Sequence, residues 1–143
     1  MTRKRRTRVL ILDPILRKSL AGEVRIGSAI EEISAPNIAL IQATVRESAR
    51  RSLFHLGEVL VTQAKVRVEG VLGWGLIQGR DFEAAMELAV IDAAWNANLA
   101  LTRSWEAKAL AAEVGIEAGL DREQAELAAT RVEFETLDQG NLP

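Results

Sequence analysis

The chain has 143 residues, enough for one domain with a buried core and too few for two independent ones. It contains no cysteine and one histidine, which excludes an iron–sulfur cluster, a thiol nucleophile and a disulfide scaffold, and leaves almost nothing for a zinc site. The net charge of −2 hides a division along the chain: residues 1–25 carry eight Lys or Arg against two acids, 26–81 carry six of each, and 82–143 carry four bases against twelve acids.

The basic opening, MTRKRRTR, reads as a flexible leader over residues 1–8. With no base-reading motif behind it, such a leader does not by itself make a nucleic-acid binder. No apolar run is long enough to span a membrane, so a cytoplasmic protein is expected. Asp13-Pro14 then has the form of a helix start, an acidic cap followed by proline in the first turn, with Ile15, Leu16, Leu20 and Val24 on one face and Gly27 closing it. A short strand over residues 29–34, a turn at Pro36-Asn37 and a strand over 38–45 are expected next, followed by a connecting loop over 46–51 with three arginines. The extended run from Leu53 continues to Val68, but Val59 and Val61 have the opposite parity to Val66 and Val68, which predicts a bulge or break over 62–64.

Residues 69–95 carry the densest set of signals. Glu69-Gly70 between apolar runs is a tight hairpin turn. In the arm that follows, Leu72, Trp74 and Leu76 share one face, while Val71, Gly73, Gly75 and Ile77 share the other. Two glycines on one strand face mark a bend or a close approach by another backbone. Gly79, Arg80 and Asp81 end the strand, with Asp81 placed to cap the next helix. That helix is apolar nearly all round, since between Leu88 and Trp95 only Asp92 is polar, so it should be covered on more than one side or offer a surface to a partner.

Residues 104–130 have helical spacing, with Gly115 and Gly119 predicting two segments or a kink. A last strand is expected over 132–137 and a tail over 139–143. The expected fold is a single α+β domain over 1–143: an antiparallel meander with a packed apolar helix, helical elements at both ends and a C-terminal strand.

Few side chains suggest chemistry. His55 has no evident nucleophile beside it in sequence. The glycines at 73, 75 and 79 lack the spacing of a phosphate loop, and Asp81 at the following helix start would repel phosphate. Asp92 is the most informative charge: if its face is covered it needs a partner, which Arg80, Arg131 or another chain can supply, and otherwise it points into a solvent gap. Trp74 suits a core or interface better than base stacking, and Trp95 and Trp105 extend the aromatic surface along the helical half. No metal or cofactor is expected on this chain alone.

LGWGLIQGRD (residues 72–81), followed by an alanine-rich helix containing Ile91, Asp92 and Ala93, resembles the PhnG family, the G subunits of the bacterial carbon–phosphorus lyase core complex. FHLGEVLVT (54–62), with Gly57 and Glu58, is similar to the family's Gly-acid strand, and TRVEFETLDQG (130–140) to its closing strand, although the usual paired aromatics are here Phe134 and Glu135. The likeness covers roughly residues 38–95 and 130–140. It implies a subunit that assembles with the I, H and J subunits, with I most directly. In that system G, H and I, with the L subunit, support formation of ribose 1-phosphonate 5-triphosphate from MgATP and a phosphonate with release of adenine. MgATP is then a substrate of the complex, and this chain is a transferase subunit, not a catalyst alone. Gly57, Glu58, Gly73, Trp74, Gly75, Gly79, Arg80, Asp81, Asp92 and Arg131 become the candidates for assembly, with the bare strand face and the apolar helix expected to touch the partner.

Overall fold

The computed structural model describes residues 1–46 and 53–140, and the side chains of 1–44 and 57–129. Helices α1 (Arg3–Leu12) and α2 (Pro14–Gly27) lead into strands β1 (Ile30–Arg46), β2 (Leu53–Val68) and β3 (Val71–Gln78). Helix α3 (Phe82–Asn96), a 3-10 turn (Ala100–Ser104) and helix α4 (Trp105–Gly140) complete the chain. The three strands are antiparallel neighbours in the order β1-β2-β3, and the fold is α+β.

Local chemistry explains most boundaries. The Asp13 carboxylate accepts the N–H of Leu16 at 3.0 Å and starts α2, and the Asp81 carboxylate accepts that of Ala84 at 3.0 Å and starts α3. Glu69 and Gly70 both have positive φ, 47° and 80°, the pairing that lets a two-residue turn follow the twist of its strands. The core lies between the inner sheet face and the helices. Ala64, Val66 and Val68 of β2 meet Ala85, Ala89 and Ala93 of α3 and its apolar neighbours, while Leu20, Ala21 and Val24 of α2 and Trp105 of α4 close the far side of α3.

Several expectations need correction. Residues 3–12 form a helix, capped by Thr2, where a flexible leader was expected over 1–8. Strand β1 runs through Pro36-Asn37, where the ladder shows register irregularities in place of a turn. Strand β2 has no break over 62–64 against β3, but its ladder with β1 shifts register opposite Gln63 and Lys65, with the extra residue on β1. The parity change arises because Thr62 occupies a fully buried inward position with its hydroxyl satisfied, donating to the Gly79 carbonyl at 2.6 Å and accepting the Asp81 N–H at 3.0 Å. An irregularity does fall between Ala43 and Thr44, opposite Gly57 and His55. Helix α4 passes through Gly115 and Gly119 without interruption, neither having any atom near its missing Cβ, and it continues over the segment expected to be a C-terminal strand. Trp105 is fully buried instead of lying on an aromatic surface. The expected loop over 46–51 lies outside the described residues from position 47 on, as do 141–143 of the expected tail.

Candidate functional site

The two glycines of β3 fill no partner surface; their face is occupied by the chain's own helix. A Cβ on Gly73 would lie 2.2 Å from the Ala93 nitrogen and 2.3 Å from the Ala89 oxygen, and one on Gly75 would lie 1.9 Å from the Ala85 oxygen. Real side chains do not approach backbone so closely, so glycine here is what allows α3 to lie against the sheet. The apolar helix is equally enclosed, with every residue from Ala84 to Ala94 buried except half-buried Met86. The bare strand face and α3 are thus interior, contrary to the expectation that they meet a partner.

Asp92 is the polar centre of this interior. It is 7% exposed, and its carboxylate accepts Arg3 Nε at 2.9 Å, Arg3 Nη2 at 2.6 Å and, more loosely, Arg6 Nη2 at 3.4 Å. Among the described residues the partners are arginines of α1 and not Arg80. Arg80 is exposed at the far end of α3, and the Arg131 side chain lies outside the described residues, as does that of His55. Burial holds the Arg6 guanidinium below its usual pKa, offset in part by Asp92. Arg6 also stacks 4.5 Å over the Trp95 ring, which meets Trp105 edge-on at 5.5 Å.

The same carboxylate blunts a sheet edge. Val68 and Val71 flank the two-residue turn and face each other across the ladder, so the even-numbered residues of β3 direct their backbone groups away from β2. Asp92 accepts the outward Trp74 N–H at 3.0 Å, and Asn96 one turn later donates to the outward Leu72 carbonyl at 3.1 Å. Those edge groups are unavailable to another strand.

Two further clasps join the basic front of the chain to its acidic rear. The Met1 amine meets Glu106 at 2.6 Å, and Arg5 Nε donates to Glu113 Oε1 at 2.8 Å. Both carboxylates are held below the usual glutamate range, Glu106 by its hydrogen bond from the amine and Glu113 by that from Arg5. Deeper still, Arg17 of α2 donates to Glu87 of α3 at 2.6 Å, with both side chains buried. Neither Glu87 nor these arginines stood out individually in the sequence. The uneven charge distribution was their only trace.

Exposed apolar surface lies on the opposite side of the sheet. Leu72, Trp74 and Leu76 form its row on β3, Trp74 being 53% exposed with the Lys65 ammonium 4.4 Å over its ring. Beyond Val61, where β3 ends, β1 and β2 continue alone as a two-stranded ribbon. Leu40 pairs with Leu60 on one face of the ribbon and Ile41 with Val59 on the other, and Leu40, Leu60 and Ile41 are exposed. Gly57, at φ 126°, and exposed Glu58 sit on this ribbon, away from Asp92. The structure therefore groups Gly73, Trp74, Gly75 and Asp92 around the β3–α3 contact, and Gly79 with Asp81 at the cap. It leaves Gly57 and Glu58 apart from them, and Arg80, between Gly79 and Asp81, turns to solvent.

Among the described residues no group of three or more His, Cys, Asp or Glu side chains is placed to hold a metal ion, and no helix is long and apolar enough to cross a membrane. These features define a small α+β protein whose buried charges hold helices to a sheet and whose exposed Leu72–Trp74–Leu76 row lies on the other side of that sheet. The chain belongs to the PhnG family of phosphonate metabolism proteins, whose model matches residues 1–140. Its role is accordingly in phosphonate metabolism.

Proposed function

We propose that the chain is a structural and activating subunit of a cytoplasmic carbon–phosphorus lyase core complex, docked chiefly to the I subunit and assembled with H and J. In this reading it supports formation of ribose 1-phosphonate 5-triphosphate from MgATP and a phosphonate, with release of adenine, and binds no cofactor alone. The observation that carries the docking is the apolar ribbon. A two-stranded ribbon is marginal in water by itself, and one with apolar side chains exposed on both faces is suited to burial against another protein. The Leu72–Trp74–Leu76 row adjoins it on the same sheet.

A self-sufficient enzyme using His55, Asp92 and Arg80 is less well supported. Asp92 is saturated by Arg3, Arg6 and the Trp74 N–H, and Arg80 lies about 15 Å or more along α3 from it, at 1.5 Å per residue. A nucleic-acid reading is weakened in the same way, since Arg3, Arg5 and Arg6 are engaged by the chain's own acids. The test is adenine release from MgATP and methylphosphonate by the H, I and L subunits with and without this chain. Release that depends on the chain, with none from the chain alone, is expected; turnover by the isolated chain would overturn the reading.

A further inference from the structure

Resting on the docking to the I subunit given above, we propose that the partner adds an extended strand to the outer edge of β1, hydrogen-bonded to Ile38, Leu40 and Gln42. The sheet has two edges, and the chain treats them differently. On β3 the outward Leu72 carbonyl and Trp74 N–H are already taken by Asn96 and Asp92. On β1 the first half of the edge is guarded by other means: Glu31 and Glu32 are exposed acids, the register shifts twice between Glu32 and Asn37, and Pro36 has no N–H to offer. From Asn37 to Ala43 none of these devices is present. That stretch is uncharged, and its ladder with β2 runs without a shift. A bare, apolar edge of this kind invites another strand, which is why proteins that stay single blunt it.

The ladder fixes which groups face outward. Even-numbered residues of β2 turn their backbone groups toward β3, as does Leu60, whose carbonyl accepts the Gly79 N–H at 2.8 Å, so the odd-numbered ones turn toward β1. Val61, Val59 and Gly57 thus exchange bonds with Ala39, Ile41 and Ala43, and Ile38, Leu40 and Gln42 direct their N–H and C=O groups away from the sheet. Among the described residues nothing bonds to them. Donor and acceptor pairs repeating every two residues, about 7 Å apart, match the backbone of another strand; a helix, whose own backbone groups are bonded internally, offers no such row. A second copy of this chain is the poorer occupant. Two β1 edges paired about a two-fold axis at Leu40 set apolar Ile38 against Gln42, and the copy adds only another thin ribbon with the same bare faces. A strand that belongs to a larger body satisfies the edge while that body covers Leu40 and Leu60 on one face and Ile41 on the other.

The experiment is residue-resolved amide hydrogen exchange of the full chain, alone and in complex with a co-expressed I subunit, together with co-purification of two variants at one position. In the free chain the amides of Ile38, Leu40 and Gln42 should exchange faster than those of Ala39, Ile41 and Ala43, and in the complex those three should slow by about tenfold or more. Gln42→Pro removes one outward N–H and leaves the β2 ladder alone, so it should fold as the parent does by circular dichroism yet be retained about tenfold less by the I subunit. Gln42→Thr changes the same side chain but keeps the N–H, and should be retained like the parent. Should Gln42→Pro fail to fold, the exchange pattern of the parent decides alone. Unchanged exchange at Ile38, Leu40 and Gln42 in a complex that forms, or full retention of a folded Gln42→Pro, would overturn strand addition while leaving the docking intact. Slow exchange at those three amides in the isolated chain would assign the edge to a second copy and overturn the proposal. A parent that the I subunit does not retain would overturn the docking and the strand addition together.

Discussion

The carboxylate of Asp92 accepts the backbone N–H of Trp74 at 3.0 Å while Arg3 grips it from the N-terminal helix, so one side chain on α3 ties down both a strand edge and the start of the chain. Replacing a buried, paired carboxylate by leucine strands its partners, here an edge N–H and Arg6. Asp92→Leu should therefore cost about 3 kcal/mol or more. Arg3→Ala should cost about 1 kcal/mol or less, because the Arg3 side chain is itself more than half exposed and water replaces it cheaply. Denaturant unfolding of the two variants checks both values. An Asp92→Leu protein as stable as the parent would contradict the network.

Gly73 and Gly75 make a second prediction, and one that reverses what the strand pattern suggested. Valine suits an isolated strand, and the bare face was expected to touch a partner. The Cβ positions fall on α3 backbone at both sites, and backbone cannot rotate out of the way. Gly73→Val and Gly75→Val should each lose stability by at least the 1 to 3 kcal/mol typical of overpacking, about as measured by thermal unfolding. A variant that folds like the parent but no longer assembles would restore the earlier expectation.

Much of the fold was legible. The caps at Asp13 and Asp81, the turn at Glu69-Gly70 and the two faces of β3 are local signals read by local physics, and each stands where it was expected. What was not legible depends on partners distant in sequence. The arginines of α1 looked like a solvated leader because their acids lie 86 to 108 residues away. Thr62 looked like a break in β2 because the sequence does not show that Gly79 and Asp81 satisfy its hydroxyl. In α4 the glycines suggested interruption, and the likeness of residues 130–140 to the family's closing strand suggested a strand, whereas the helix runs through both. Among the proposed site residues, Asp92 was rightly suspected of needing a partner once covered, but the arginines of α1 that pair with it were not among the candidates.

Acid should loosen the clasp between front and rear. Glu113 is held low by the Arg5 hydrogen bond, Glu23 by its bond from the Trp105 indole, and Glu106 by the Met1 amine. A carboxylate whose folded pKa lies below its unfolded value contributes stability that is present above the unfolded value, about 4.5, and is lost as pH falls through the folded one. Thermal unfolding should thus be insensitive to these groups near neutrality and should fall progressively below about pH 4.5. In Glu113→Gln part of that acid dependence should be gone. An unchanged slope in this variant would show that the Arg5 clasp does not contribute.

The central claim is that the outer sheet face and the ribbon, not the interior glycines and α3, meet the I subunit. Trp74 and Leu40 are exposed, so Trp74→Glu and Leu40→Glu remove apolar contact without touching the core. The most direct measurement is co-purification of each variant with a co-expressed I subunit, alongside circular dichroism of the variant alone. The account predicts that the parent is retained, that both variants fold as the parent does, and that both are lost from the I subunit. Retention of both folded variants at the parent's level would contradict it.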